Sequence, residues 1–455
     1  MAMHSRAEGK HILVVRIGGA TRHKLYHAVK NLGVRLSCAN PVISKGFNDV
    51  IDNWVTYSSE DSLTAVEKEL LQKFSELNLR FDAVVTFDEF GVQLASMLAA
   101  SLSLPGIPLK VVQCCQNKSS FRQFCKSREL PCVNFASLSC SEGVDSLDVQ
   151  YPVVIKPRNG AGSHFVQRAE SKVQLRSAML GILHTLKTRR LTSYEWCDYS
   201  SLEDIKFHVE ELVEGKEVDI DCVVCDNQIR YCNVVDNKST GRPFFLEDTC
   251  QAPSSLSPQV QAQLCALAAR ILEEMARAWQ CRITGTFHVE MILSEHGPVP
   301  IEVNCRLGGA ETRCLHLAAW GVDLGVETVL AHMSLPSPRL QPFAKFCGSL
   351  RRNSGPLLEA LVPNHRFACS ANLHPSGSGI VNKIDLPLNK FGYVDHMVYF
   401  QVGEPILVPP KGFQYLGWVV VQAKSEGEAR ENLQKFVGSA VMEVRGGCTP
   451  AQEDS

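Results

Sequence analysis

Residues 282–307 read RITGTFHVEMILSEHGPVPIEVNCRL, two apolar-rich runs on either side of EHGP. That pattern predicts a β-hairpin. Side chains alternate along a strand, so His288 and Glu290 share one face of the first run, opposite Phe287, Val289 and Met291. In the second run Glu302, Asn304 and Arg306 share a face, opposite Val303 and Cys305. If the runs pair, Glu290 and Glu302 converge. Two close carboxylates repel unless a cation lies between them. Mg²⁺ suits such a donor set, because it takes one or two carboxylates and completes its shell with substrate phosphates. A solvated polar face would explain either run alone but explains the pair poorly.

Working outward, VVIKPRNGAGSHFV (153–166) places Lys156 inside an apolar strand. A loop with Gly160, Gly162 and Ser163 follows. A lysine point charge and loop N–H groups suit a polyphosphate, although alone such a loop is more often an ordinary hairpin. The pattern GxxxxGK[ST] is absent from it, which excludes the P-loop class. In VEELVEGKEVDI (209–220), Glu210, Glu211 and Glu217 flank a turn at Gly215. These acidic groups suit donors such as an adenine amino group and ribose hydroxyls, and a solvated acidic hairpin is the competing reading.

The 455-residue chain has Lys plus Arg 46 against Asp plus Glu 48, a formal charge of −2. That balance lacks the electrostatic footprint of a nucleic-acid or membrane-surface binder. Hydrophobic residues at 45% and charged residues at 21% describe an ordinary globular protein of several domains. Eighteen scattered cysteines are too dilute for a disulfide scaffold. Cys222 and Cys225, the single CxxC, lie in a predicted strand and point to opposite faces, so they are poor joint metal ligands. The N-terminal apolar run is too short for a secretory signal, and no run approaches a membrane span; a cytoplasmic protein is expected.

HILVVRIGGA predicts a buried strand and a glycine turn, and TRHKLYHAVKNLGVRL a helix ending at Gly33. Gly18-Gly19 lacks GxGxxG and reads as a tight strand-to-helix turn. A capping-box-like start at Ser58 and Asp61 precedes helical spacing through Leu63, Val66, Leu70, Phe74 and Leu77. Then FDAVVTF predicts a strand and FGVQLASMLAASLSL a helix, an alternation that argues for a parallel sheet up to about 113. Short β units follow, then a helix started by Ser257 and Pro258. The Pro- and Ser-rich stretch from Pro336 to Arg366 reads as a linker or insertion. SGSGIVNKI, HMVYFQV and YLGWVVVQA predict strands, and EGEARENLQKFVGSAV a final helix.

The succession NKSSFR, VVIKPRNGAGS, VEELVEGKEVD, HVE and IEVNCR resembles the ATP-grasp superfamily of carboxylate–amine ligases, among them D-alanine–D-alanine ligase and biotin carboxylase. The spacings Glu290 to Glu302 to Asn304, and Glu210 to Glu217, match that family's metal and adenine–ribose positions. FDEFGVQLASMLAASLSLPG, NCRLGG and the long tail look most like carnosine synthase and bacilysin-type L-amino-acid ligases. The chain is much shorter than vertebrate-type carnosine synthases, and Cys305 departs from the family's usual residue there.

The resemblance implies an α/β (α+β) ATP-grasp fold. Residues 1–113 would form a Rossmann-like pre-ATP-grasp domain and 114–335 the nucleotide-binding and catalytic domain. Residues 336–445 would form a C-terminal α+β subdomain, and 446–455 a flexible tail. It implies ATP and two Mg²⁺ (or Mn²⁺) ions. ATP would be bound by Lys118, Lys156, the loop Arg158, Gly160, Gly162 and Ser163, the hinge Glu210, Glu211, Leu212 and Val213, and Glu217. Glu290, Glu302 and Asn304 would hold metal, and Arg306 and Lys156 would be catalytic. Glu89, His164, Arg306, Gly308 and Gly309 are candidates for the substrate; Glu89 follows a strand end where a parallel sheet presents ligand contacts. The implied reaction joins small amino acids through an acyl phosphate; a homodimer is expected, with no nucleic-acid or membrane partner. Alternatives are a biotin-carboxylase-like or purine-pathway enzyme, and a non-catalytic ATP-binding regulator of the synapsin type.

Overall fold

The computed structural model describes residues 4–446 except 60, 140, 161, 189–204, 240–242, 336, 338–339 and 341–365. The stretch expected as a linker therefore lies almost wholly outside the described residues, as does the tail beyond 446.

The chain opens with an all-parallel sheet: β1 (His11–Val15), β2 (Arg35–Asn40), β3 (Asn53–Thr56) and β4 (Ala83–Val85), in the order β3-β2-β1-β4. All five β1 residues are buried, because helices cover both faces. The helix Leu63–Glu76 and the helix Val92–Ser101 pack on one side through Val66, Leu70, Leu94 and Leu98. The helix His23–Lys30 packs on the other through Leu25, Tyr26 and Val29. That helix stops earlier than its sequence pattern predicts. The chain turns through Gly33 at φ +79°, and the next residues become β2, whose Leu36, Cys38 and Ala39 are drawn into the sheet core. The cap of the helix Leu63–Glu76 is Ser62, whose Oγ accepts from Ala65 N at 3.3 Å, rather than Ser58.

A small antiparallel sheet follows, built from β5 (Phe135–Leu138), β6 (Val153–Pro157), β7 (Gln167–Ala169) and β8 (Phe207–Glu211), in the order β5-β8-β6-β7. Its apolar face packs on the helix Lys172–Thr188.

The largest element is an eight-stranded sheet. It contains β9 (Lys216–Cys225), β10 (Gln228–Ser239), β11 (Glu247–Ala252), β12 (Gly285–Ser294), β13 (Gly297–Asn304) and β14 (Phe367–Asn372). Beyond these come β15 (Gly379–Asp385), β16 (Tyr393–Val398), β17 (Pro405–Ile406), β18 (Gly417–Ala423) and β19 (Val441–Arg445). The order is β13-β12-β9-β10-β11-β14-β18-β16, with β17-β15-β19 as a separate three-stranded sheet. Three of the C-terminal strands thus extend the central sheet instead of standing in a unit of their own. The helix Pro258–Ala278, capped by Ser257 as expected, covers one face. Its Leu264, Ile271 and Met275 meet Ile220, Phe287, Val289 and Val303. Burying each such side chain contributes about 1.5–3 kcal/mol. Cys222 belongs to this core and Cys225 to the core on the opposite face, as alternation requires. Among the described residues no single helix is long and apolar enough to cross a membrane.

Candidate active site

On the polar face of β9, β12 and β13, the helices Thr312–Trp320 and Leu324–His332 cover one part, through His316 and Thr328, and the small sheet stands across from the rest. Between them is a cavity of about 1120 Å³. Its lining includes Lys118, Lys156, Gly160, Gly162, Ser163, His164, Glu210–Val213, Glu217, Glu290, Glu302, Asn304, Arg306 and Gly309. One cleft therefore gathers most of the residues singled out along the sequence.

The hairpin sets the carboxylates. Glu290 pairs in register with Glu302, and His288 with Asn304, while Phe287, Val289, Met291 and Val303 point into the core. Asn304 Nδ2 donates to Glu290 Oε1 at 3.2 Å. Burial and the facing Glu302 charge together raise the pKa of Glu290. Burial raises Glu217 to about 8, aided by Glu290 and Glu247. Burial likewise raises Glu247 to about 7, aided by Glu311 and Glu290. Asp219, opposite Glu290 on β9, is also raised by burial, with a smaller contribution from Glu290. These crowded carboxyl groups, together with the Asn304 amide oxygen, are a donor set for hard divalent cations, whose charge would favour the ionised forms that burial and crowding disfavour.

Lys118 begins the helix Lys118–Ser127, whose cap Asn117 accepts from Ser120 N at 3.0 Å. Its Nζ lies 3.2 Å from Glu302 Oε2 and 3.1 Å from the Gly160 carbonyl. The lysine thereby ties the metal-type hairpin to the glycine loop. Lys156 Nζ lies 2.6 Å from Glu210 Oε1. The other oxygen, Oε2, receives Arg122 Nε at 2.7 Å and His208 Nε2 at 2.9 Å. Burial alone would favour a neutral Glu210, but Arg122 and Lys156 hold its pKa well below the usual range. Burial lowers His208 to about 4. A neutral ring donating from Nε2 leaves Nδ1 to accept from Ser119 Oγ, 2.9 Å away.

Both acidic side chains of the expected hinge have partners within the protein. The Glu210 carboxylate is filled by cations, and Glu211 Oε1 accepts from Asn134 Nδ2 at 3.0 Å and Gln150 N at 3.1 Å. Leu212 and Val213 also line the cavity, and Leu212 N donates to the Pro152 carbonyl at 3.0 Å.

Arg306 Nε lies 2.8 Å from Glu89 Oε2, and Arg306 Nη2 lies 3.4 Å from Asn304 Oδ1. Gln116 Nε2 donates to Glu89 Oε1 at 2.9 Å. Glu89 thus stands behind Arg306 and outside the cavity lining, contrary to its expected place beside substrate. Gly308 is also outside the lining. A Cβ there would lie 2.5 Å from Thr312 Oγ1 and 2.8 Å from His288 Nδ1, so the residue is a packing glycine. Arg158 contributes its backbone, accepting from Lys118 N at 3.1 Å, while its side chain does not line the cavity. In the loop Gly162 and Ser163 adopt φ of +65° and +55°, and Phe165 packs against Phe413 with ring centroids 5.1 Å apart. Ala161 lies outside the described residues.

Sequence reasoning missed Arg122, although it sits in the quoted NKSSFR. It also missed Asp219 and Asp221, which follow Glu217 at the same strand alternation. Asp221 accepts from His288 Nδ1 at 3.0 Å and from His316 Nε2 at 2.8 Å. Burial alone would lower the His288 pKa, but Asp221 and Asp219 outweigh it and raise it to about 10.

Residues 149–313 match the model of the ATP-grasp domain. The chain is 29% identical over 343 residues to carnosine synthase 1 of Gallus gallus, covering 72% of this chain and 36% of that protein. Against carnosine synthase 1 of Mus musculus the identity is 26% over 352 residues, covering 72% and 40%. The chain thus spans well under half the length of these curated relatives. The crystal structure of an L-amino acid ligase from Bacillus licheniformis superposes with a TM-score of 0.74 at 19% identity, covering 96% of this chain and all of that one. A phosphoribosylglycinamide synthetase from Anaerococcus prevotii superposes at 0.66 with 14% identity, covering 96% and 100%. At those identities the solved structures share the fold. The chain therefore carries an ATP-grasp domain within an ATP-grasp fold, similar in sequence to carnosine synthases and in architecture to an L-amino acid ligase.

Proposed function

We propose that this protein is an ATP-dependent carboxylate–amine ligase that joins small amino acids and releases ADP and phosphate. The observation that carries the reading is the in-register pairing of Glu290 with Glu302 beside Asn304, on the wall of a cleft that also holds Lys118, Lys156 and Arg306. In this reading Glu290, Glu302 and Asn304 hold two Mg²⁺ (or Mn²⁺) ions. A bound divalent cation offsets phosphate charge that would otherwise repel an attacking carboxylate.

Lys118 and Lys156 place point charges where phosphate oxygens lie, and Arg306 faces the charge spread over the transferring phosphoryl group. The hinge Glu210, Glu211, Leu212 and Val213, which lines the cleft, takes the base and Glu217 the ribose. One amino acid's carboxylate oxygen attacks the γ-phosphorus, the bond to ADP breaks, and an acyl phosphate results. The second amino acid's nitrogen then attacks the acyl carbon and phosphate leaves. Water would destroy that intermediate, so loop residues 158–160 and 162–164, with Gly309, are suited to closing over it.

The test is coupled ADP release with a panel of amino-acid pairs, with the product identified by mass. An amide product from at least one pair supports the reading. Turnover with bicarbonate or a purine-pathway amine would move the protein to another ATP-grasp branch. Nucleotide binding without turnover on any substrate would make it a regulator. Buried free thiols such as Cys38, Cys222 and Cys265 suit a reducing, cytoplasmic setting. A two-fold homodimer, the commonest assembly of soluble chains, completes the proposal and is read by light scattering.

A further inference from the structure

On the far side of the parallel sheet's helix is a cluster outside the ligase cleft. His23 and His27 are spaced i, i+4 at the start of the helix His23–Lys30, so both rings leave one face. Asp49 meets them from the turn after the segment Lys45–Phe47. His23 Nε2 lies 2.9 Å from Asp49 Oδ1, and His27 Nε2 lies 2.9 Å from Asp49 Oδ2. The three ligand atoms all fall within 4.8 Å of one another. None of the three residues lines the cleft.

The cluster is held in place by what surrounds it. Asp49 is flanked by Phe47 and Val50, which are 5% and 1% exposed. Val50 N and Ile51 N both donate to the Phe47 carbonyl, at 3.1 and 2.9 Å, and lock the turn. His23 packs edge-on against Phe47 with centroids 5.5 Å apart, and against His27 at 4.6 Å. At the other end of the helix Lys30 Nζ grips Asp52 at 2.8 Å. Helix and turn are therefore fastened together with two imidazole nitrogens and a carboxylate converging between them.

We propose that His23, His27 and Asp49 form a binding site for a late first-row divalent cation, Zn²⁺ in the first instance. Two nitrogens and one carboxylate oxygen suit zinc, and tetrahedral bonds of about 2.0–2.2 Å place ligand atoms about 3.3–3.6 Å apart. Small ring movements bring the three atoms there and leave the fourth position to water. Imidazole selects against Mg²⁺, which prefers oxygen. The cation would bolt the helix His23–Lys30 to the turn, and so stiffen the segment of Arg16–Arg22 that leads into it.

The full chain, stripped of metal and held in excess Mg²⁺, is titrated with Co²⁺ and then Zn²⁺. Measurements are made on the parent and on His27→Ala and Asp49→Asn variants. All three positions are partly or well exposed, so the variants fold, as metal-free melting checks. The expected result is one equivalent of Co²⁺ with ligand-field bands, no thiolate charge-transfer band, and displacement by Zn²⁺. Binding should weaken in each variant by no less than the roughly 10–100-fold that loss of an outer-shell partner costs. Equal affinity in parent and variants, a thiolate charge-transfer band that survives in them, or no uptake by the parent would each overturn the site.

Discussion

Lys156 and Glu210 form a buried ion pair, 2.6 Å from Nζ to Oε1, with side chains only 5% and 8% exposed. Arg122 and His208 hold the other oxygen. One carboxylate thereby anchors the lysine of β6, the helix Lys118–Ser127 and, through the Arg122 bond to the Pro300 carbonyl, strand β13. Removing one partner of a buried pair leaves charge uncompensated, which costs about 3–5 kcal/mol. Glu210→Gln is therefore expected to lower the melting temperature by more than Glu211→Gln, whose carboxylate accepts from surface partners. Equal melting of the two variants would contradict the anchoring role.

Glu302→Gln is expected to abolish turnover, by about 10²-fold or more, while the circular dichroism spectrum stays that of the parent. The companion Glu290→Gln should also lose turnover yet melt no lower than the parent, because burial and Glu302 disfavour the charged form of Glu290. ADP release retained in either variant would remove these carboxylates from the reaction.

Glu217→Ala should raise the KM for ATP by up to about tenfold, the equivalent of one good hydrogen bond, with a smaller change in kcat. Initial rates at varied ATP measure the split. A fall in kcat at constant KM would place Glu217 nearer the reacting atoms than the ribose role allows.

The empty protein should lose stability as the pH rises from about 6.5 to 8.5. Glu217 and Glu247 titrate at about 8 and about 7 in the fold against an ordinary 4.5, so the folded state holds protons the unfolded chain has released. Each group's protonated contribution therefore fades as pH climbs through its folded value. His208, lowered to about 4 against an ordinary 6.5, acts in the opposite sense, but only below about 6.5. Thermal melts across pH check this, and Mg²⁺ with nucleotide should lessen the decline. A flat or rising melting temperature would count against it.

The adjacent glycines should behave differently. Gly308→Ala forces a Cβ to within 2.8 Å of His288 Nδ1, which Asp221 holds, and overpacking of this kind costs about 1–3 kcal/mol. Gly309→Ala meets nothing within 4 Å and should melt with the parent.

Legibility followed the range of the interactions. The faces of β12 and β13 could be read because strand alternation is local and EHGP fixes the pairing, so Glu290 and Glu302 were found opposite each other. Glu247 and Glu311 carried no such sign, since they reach the carboxylate cluster from separate segments. Arg122 looked like one more basic residue of a short helix, and only the tertiary fold reveals Glu210 beside it. Glu89 follows β4, where a ligand contact is expected, but Arg306 arrives from β13 and takes its carboxylate. The placement of β14, β18 and β16 was invisible for the same reason: β14 pairs with β11 across more than a hundred residues of chain.

That pairing has a practical outcome for anyone dividing the chain. A fragment ended near residue 335 would keep every carboxylate and lysine named above. It would also strip β14 from β11 and bare a row of unpaired amides along Thr249–Ala252. Such an edge recruits other strands, so the shortened protein should aggregate, and its cleft would also lose the wall formed by Cys369, Tyr415, Arg430, Leu433 and Gln434.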